Sequence, residues 1–405
     1  MNIFKIVYIR TFQTVMKIGS SLLNFRIPKV YNSFKDIPSL LKEESKHTCL
    51  LVSDKNILDL GLLDELINLG SQFEIKFVLF TSVDPNPTFE NINEGKKMYL
   101  DSNCDSIVAI GGGSVMDAAK VIGTLITNKK TIPQLKGLFK LRHRLPLLLA
   151  VPTTCGTGSE ATLAAVIRNK TTKEKFPIED LKLIPRFAIL DPYFIANLPE
   201  KILATTCLDA LTHAVEAFIG NSTTKKTRKY AVNAVKLILN NLNEAYDNKE
   251  NLEAKKNLLT ASFDAGVSFT KSYVGYVHAI AHQIGGLYNL PHGYLNAIIL
   301  PIMLEEYGNS IDKKITILMR SINFPLLSDD LNKNRLMFIK WIRDLNRKFN
   351  IPSQIKEIEE QDIHLLAIRA YKEATPLYPV PKLFSEEMLE DIIRHKIKEN
   401  INVKQ

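Results

Sequence analysis

The chain has 405 residues, enough for two or three domains with real cores, and its 45% apolar, 23% charged composition with 18 Gly and 18 Pro excludes disordered, fibrous and small disulfide-stapled proteins. The formal charge is +9, yet six basic residues (Lys5, Arg10, Lys17, Arg26, Lys29 and Lys35) precede the first acid, Asp36. The excess over the remainder is too small for a nucleic-acid footprint, and no nucleic-acid partner is expected. The four cysteines, Cys49, Cys104, Cys155 and Cys207, are widely spaced without a C-x-x-C pair. That pattern argues against a disulfide framework or a thiolate zinc site and points to a reducing, cytoplasmic setting. No apolar run approaches the roughly 20 residues that span a bilayer, so the body of the chain is expected to be soluble.

Residues 1–26 form a basic extension. Within 3–25, Ile3, Phe4, Val7, Tyr8, Phe12, Val15, Met16, Leu22 and Leu23 recur at helical spacing, with Lys5, Arg10, Gln13 and Lys17 largely on other faces. This is the pattern of a basic amphipathic helix. Such helices usually bury the apolar face in their own protein or a partner subunit; weak contact with a membrane surface, or a targeting role, is the other reading.

From 27 to 197, short apolar runs alternate with helical patterns. CLLVSD (49–54), IKFVLFT (75–81), SIVAIGG (106–112), LPLLLAVP (145–152) and RFAILDP (186–192) read as strands covered on both faces, and LGLLDELINLGS and NINEGKKMYLDS as the helices between them. The alternation predicts a doubly wound α/β domain with a parallel sheet. From 198 to 405 the strand-like runs cease for long stretches, and segments such as 228–246 and 335–349 have helical period, so the second domain is predicted to be all-α.

Three constellations carry chemistry. Ile110 to Asp117 (IGGGSVMD) joins a strand to a helix with three glycines, which lets the backbone approach a pyrophosphate at a helix N-terminus. Pro152 to Glu160 (PTTCGTGSE) follows the next strand with hydroxyls and glycines suited to a ribose and nicotinamide, and loops after parallel strands share one carboxyl edge. Asp54 closes the strand LLVSD, where a carboxylate can hydrogen-bond an adenosine ribose and repel a 2′-phosphate, which favours NAD over NADP.

In the helical half, four of the eight histidines fall between 213 and 292. Asp209 and His213 are i and i+4, as are His278 and His282, and His292 follows. On a helix each pair shares a face one turn apart, within reach of one ion. One carboxylate with neutral imidazoles suits Fe(II), Zn(II) or Mn(II); spacing alone does not say which histidine to omit.

These residues resemble the iron-containing (group III) alcohol dehydrogenases. The resemblance runs from about Ile27 to Tyr307 through DPNPT (84–88), AIGGGSVMDAAK (109–120), VPTTCGTGSEAT (151–162), LDALTHAVEAF (208–218) and VHAIAHQIGGLYNLPHGYLNAIILP (277–301). It implies a dehydroquinate synthase-like architecture, with an α/β nucleotide-binding domain, a helical metal-binding domain and the active site in the cleft between. It also implies Asp209, His213, His278 and His292 as ligands of Fe2+ (or Zn2+), and His282 as a non-ligand histidine facing nicotinamide and substrate. On the same ground Asp54 and Asn86 take the adenosine side, Gly112, Gly113, Ser114 and Asp117 the pyrophosphate and nicotinamide side, and Thr153, Thr154, Thr157 and Lys175 the other NAD contacts. Cys155 stands where a small residue is usual, and Cys207-Leu208 where Gly and a bulky residue are more common. The expected activity is hydride transfer between a small alcohol or aldehyde and NAD(H) by a homodimer. A polyol dehydrogenase, a maleylacetate reductase or a catalytically idle scaffold are the alternatives.

Overall fold

Strands covered on both faces can carry apolar side chains at nearly every position, and the central strands do so in the computed structural model, which describes residues 2–22, 25–172, 175–327 and 329–399. The strands are β1 (Lys29–Tyr31), β2 (Thr48–Val52), β3 (Lys76–Phe80), β4 (Ser106–Gly111), β5 (Gly137–Leu138), β6 (Leu147–Pro152), β7 (Ala164–Arg168), β8 (Lys175–Glu179) and β9 (Phe187–Ile189). The first helices are α1 (Ile3–Leu22), α2 (Ile37–Glu43), α3 (Lys55–Asp59), α4 (Asp64–Gln72), α5 (Phe89–Asp101), α6 (Gly113–Thr127), α7 (Glu200–Ile219) and α8 (Lys225–Asp247). They are followed by α9 (Leu252–Ser272), α10 (Tyr276–Tyr288), α11 (His292–Tyr307), α12 (Asp312–Ser321), α13 (Leu331–Lys348), α14 (Ile363–Ala374) and α15 (Glu386–Ile392). By compactness the chain forms two units: Phe25–Pro199 with Asn241–Thr270, and Met1–Asn24 with Glu200–Asn240 and Lys271–Gln405.

The first unit holds a six-stranded parallel sheet in the order β1-β9-β6-β4-β2-β3. Side-chain alternation divides its core in two. Leu50, Val52, Ile107 and Ala109 pack with Ile92 and Tyr99 of α5 and Val115 and Met116 of α6, whereas Cys49, Leu51, Val108 and Ile110 pack with Ile37 and Leu41 of α2 and Leu66 of α4. The sheet is doubly wound. Strand order reverses at β2, with β3 on one side and β4 on the other, so the crevice suited to a ligand lies at the carboxyl ends of β2 and β4. A smaller sheet, β5-β8-β7, and the edge strand β1 were not legible in the sequence. Of LGLLDELINLGS (60–71) the part from Asp64 onward is helical, because the chain turns at Gly61 with φ +67° before α4 begins.

The second unit is helical. Its α7 is long and apolar enough by composition to cross a membrane, and most of it is buried within the protein. Helix α1 forms as its periodicity predicts, but its orientation is a correction. Ile3, Phe4, Val7, Tyr8 and Val15 are exposed, and the face that docks carries Ile9 and Gln13, 1% and 6% exposed. Leu23 lies outside the described residues. The physical reason is polar: Arg10 donates to Val380 O at 2.7 Å and Pro381 O at 3.1 Å, and Gln13 to Tyr378 O at 2.6 Å. Backbone carbonyls without a ladder partner select a donor-bearing face over a purely apolar one.

Candidate metal centre and cofactor loops

Helix α7 presents Asp209 and His213 one turn apart, α10 presents His278 and His282, and α11 opens with His292. Two glycines set how closely these helices approach. A Cβ at Gly293 would lie 2.4 Å from Thr205 O and 3.3 Å from Asp209 Cβ, so only glycine lets the first turn of α11 lie against α7. A Cβ at Gly275 would meet Glu216 Oε1 at 2.5 Å, which fixes the entry to α10 in the same way.

The result is a group of four donors, one atom each from Asp209, His213, His278 and His292, all within 4.8 Å of one another. His292 Nε2 is 3.5 Å and His278 Nε2 3.9 Å from Asp209 Oδ1. Ligands at about 2.0–2.2 Å from one ion lie about 3–4 Å apart, so this carboxylate and three imidazoles fit a divalent transition metal with little movement. Burial and the neighbouring His213, His292 and His282 hold the His278 imidazole well below its usual pKa, in the neutral form that ligates. The His282 ring stacks on His292 with centroids 5.0 Å apart. Its Nδ1 lies 2.6 Å from Glu373 Oε1, at the end of α14.

Three further residues of this centre escaped the sequence reading. Glu216 is buried on α7 and accepts from Gly275 N (2.8 Å), Val277 N (2.9 Å) and His278 Nδ1 (2.7 Å). Burial pushes its carboxyl up to about 7 against these donors. Asn296, fully buried, donates to Asp209 Oδ1 at 2.6 Å and sits 3.2 Å from His278 Nε2 and 3.1 Å from His292 Nε2. Both carry a signal that could have found them, since Glu216 follows His213 by three residues and Asn296 follows His292 by four. Glu373 has none; it lies 91 residues from His282.

In the α/β unit the two predicted loops come together. Gly111 at the end of β4 pairs with Pro152 at the end of β6, and Thr153 N donates to Gly111 O at 3.1 Å. Gly112 caps α6 without a side chain, which leaves the N-terminus open to a phosphate. A Cβ at Gly113 would strike Thr157 Cγ2 at 2.8 Å, whereas Gly112 and Thr154 are at ordinary distance. This shallow cradle of glycine backbone rimmed by Thr154 and Thr157 fits a pyrophosphate.

The Ser114 hydroxyl donates to Pro85 O beside Asn86. Asp54 stands beyond β2 and spends one oxygen capping α3, accepting from Ile57 N at 3.1 Å. Asp117 spends both oxygens on the protein, accepting from Ser159 Oγ (2.7 Å) and Val166 N (2.9 Å). Lys175 lies at the outer end of β8, across from Arg168.

Sequence comparison agrees with the geometry. Residues 29–192 match the family model for iron-containing alcohol dehydrogenase, and 203–397 that for the C-terminal part of the Fe-containing alcohol dehydrogenase family. Alcohol dehydrogenase 4 of Saccharomyces cerevisiae is 32% identical over 381 residues, covering 93% of this chain and 98% of that protein. The NAD-dependent methanol dehydrogenase of Bacillus methanolicus is 31% identical over 367 residues, covering 87% and 94%. The crystal structure of a 1,3-propanediol oxidoreductase superposes with a TM-score of 0.88 at 31% identity, covering 92% and 99%. The chain belongs to the family of iron-containing alcohol dehydrogenases, oxidoreductases that act on the CH–OH group.

Proposed function

We propose that the protein passes a hydride between a small alcohol or aldehyde and NAD(H), with Asp209, His213, His278 and His292 holding the metal. The convergence of those four donor atoms within 4.8 Å carries the reading. When bound, a divalent ion there supplies the Lewis acidity that lowers the pKa of the alcohol hydroxyl, and NAD supplies the hydride acceptor. The family description favours iron, and zinc is the competitor by intrinsic affinity.

His282 takes the hydroxyl proton, since its Nδ1 is engaged by Glu373 and an imidazole titrates near neutral pH. Gly112, Gly113 and Ser114 receive the pyrophosphate, with Asp117 one turn on tying α6 to Ser159 and Val166. Asp54 and Asn86 take the adenosine side, and Thr153, Thr154, Thr157 and Lys175 the other contacts. Similarity to the 1,3-propanediol oxidoreductase supports short diols as a second substrate class.

The reading extends to the whole protein as a cytoplasmic dimer, supported by four free, buried cysteines and the family resemblance. It includes weak contact of α1 with anionic membrane surfaces, supported by the exposed Phe4, Val7, Tyr8, Val15 and Ile18 beside Lys5 and Lys17. Anaerobic purification with metal analysis, then a screen of short alcohols, diols and aldehydes with NAD and NADP, tests the activity. The expected result is a bound ion and preference for NAD. His278→Ala loses the ion, while His282→Ala keeps it and turns over about 10²-fold more slowly; the reverse pattern would show the ligand assignment to be wrong.

A further inference from the structure

The carboxylate that engages His282 is itself held from two sides. Glu373 Oε2 accepts from Gln283 Nε2 at 2.6 Å, and Glu373 Oε1 accepts from the Tyr378 hydroxyl at 2.9 Å as well as meeting His282 Nδ1 at 2.6 Å. Tyr378 belongs to the segment 375–381 that follows α14, outside any helix or strand. An irregular segment depends on side chains to satisfy its backbone, and here α1 provides them.

Gln13 Nε2 donates to Tyr378 O (2.6 Å) and Pro376 O (3.3 Å), while Arg10 donates to Val380 O (2.7 Å), Pro381 O (3.1 Å) and the Gln13 side-chain oxygen (2.9 Å). Four carbonyls of one short segment are thus tied to two neighbouring side chains of α1. Asn221, whose carbonyl accepts from Lys17 at 2.9 Å, adds a bond from its own amide to Val380 O at 3.0 Å.

We infer that Glu373 is the positioning residue of His282, and that α1 is the brace that keeps it so, by fixing 376–381 and hence the Tyr378 hydroxyl. The chain of contacts runs from Gln13 through the Tyr378 backbone and ring to Glu373 and the imidazole. This gives the polar face of α1 a purpose: a helix recruited only to cover apolar surface would not spend its docked positions on the half-buried Arg10 and the buried Gln13. Loss of the brace frees Tyr378, leaves Glu373 short of one donor and lets the His282 ring leave its orientation, so the proton-transfer geometry is populated for less of the time. None of Gln13, Tyr378 and Glu373 is among the four metal-holding donors or in the two glycine-rich loops.

The inference rests on His282 as the proton-handling residue, and the test separates the two. Steady-state kinetics, metal content and hydrogen exchange of peptides covering 371–381 are measured for Glu373→Gln, Tyr378→Phe, Gln13→Leu, the double variant Gln13→Leu/Glu373→Gln, and His282→Ala, with Val15→Ser on the exposed face of α1 as control. Glu373→Gln is expected to lower kcat about 10-fold to 10²-fold with KM values and metal content unchanged. Tyr378→Phe and Gln13→Leu lower kcat by a smaller factor, about 3-fold to 10-fold, and Gln13→Leu speeds exchange in 371–381. In the double variant Gln13→Leu adds nothing to Glu373→Gln, because both act through one contact chain. Val15→Ser changes neither readout. Unchanged kcat in Gln13→Leu despite faster exchange, or independent multiplication of the two effects, overturns the brace. Unchanged kcat in His282→Ala shows instead that the role given to His282 is wrong, whatever the exchange data say.

Discussion

Glu216 shows how one side chain decides what its neighbours can do. Glu216 Oε2 stands 2.7 Å from His278 Nδ1; a carboxylate there favours the tautomer with its proton on Nδ1, which leaves the Nε2 lone pair toward Asp209 and the other imidazoles, the orientation a ligand needs. The same carboxylate accepts from Gly275 N at the cap of α10 and from Val277 N in its first turn, so the residue that orients the ring also anchors the helix that carries it. Glu216→Gln keeps the volume but weakens the acceptor. Its expected effect is an about 10-fold to 10²-fold loss of metal affinity, read by competition with a coloured chelator, with a smaller change in kcat once metal saturates. An unchanged affinity would mean that Asp209 and the other imidazoles fix His278 without help. The spacing of Glu216 from His213 places it on the ligand helix but does not name His278 as its target, which lies 62 residues away. The i, i+4 pairs were legible because helix geometry places them together whatever the tertiary packing.

At the scale of elements, the cofactor loops depend on a buried lysine and a glycine that no side chain can replace. Lys120 on α6 is fully buried and donates to Ser159 Oγ (2.9 Å), Thr162 Oγ1 (3.0 Å), Thr162 O (3.1 Å) and Ala164 O (2.8 Å), tying α6 to the end of the second loop. Gly158, in that loop, has φ +59°, and a Cβ there would lie 2.7 Å from Gly266 Cα and 2.8 Å from Ser262 O of α9. Gly158→Ala therefore combines left-handed backbone strain with overpacking against a helix backbone that cannot yield. The expected cost is about 2–4 kcal/mol, read as a lower midpoint in chemical denaturation, together with weaker NADH binding by fluorescence titration. Retention of both would show that the loop can move away from α9. The strand-to-helix turns were legible because glycine and strand periodicity are local signals. The small β5-β8-β7 sheet was not, because strands of two to five residues carry too little pattern to stand apart from loop.

For the whole molecule, α1 carries three of the six basic residues that precede Asp36, and its two faces differ. The docked face of α1 is polar at its centre, with Gln13 beneath and Arg10 bound to carbonyls, while Phe4 and Tyr8 are 79% and 61% exposed. An exposed apolar stripe beside Lys5 and Lys17 matches the chemistry of an anionic lipid surface. Full-length protein is expected to cosediment with phosphatidylserine-containing vesicles and much less with neutral ones. Phe4→Ser/Tyr8→Ser should reduce that binding at least about tenfold while leaving kcat unchanged. Equal binding to both vesicle types, or none, would remove the membrane from the account of this face.

A single turn or strand encodes the alternation of parallel strands and helices, the two glycine turns at one sheet edge, and the donor pairs four residues apart on α7 and α10, and these were legible without any packing. The tertiary structure decided which histidines share a point with Asp209, which carboxylates stand behind His278 and His282, and which face of α1 is buried. Those outcomes depend on contacts between residues up to several hundred positions apart, such as Gln13 with Tyr378 across 365 residues. Periodicity fixes how a helix can present its side chains; only packing against the rest of the chain selects the face that is used.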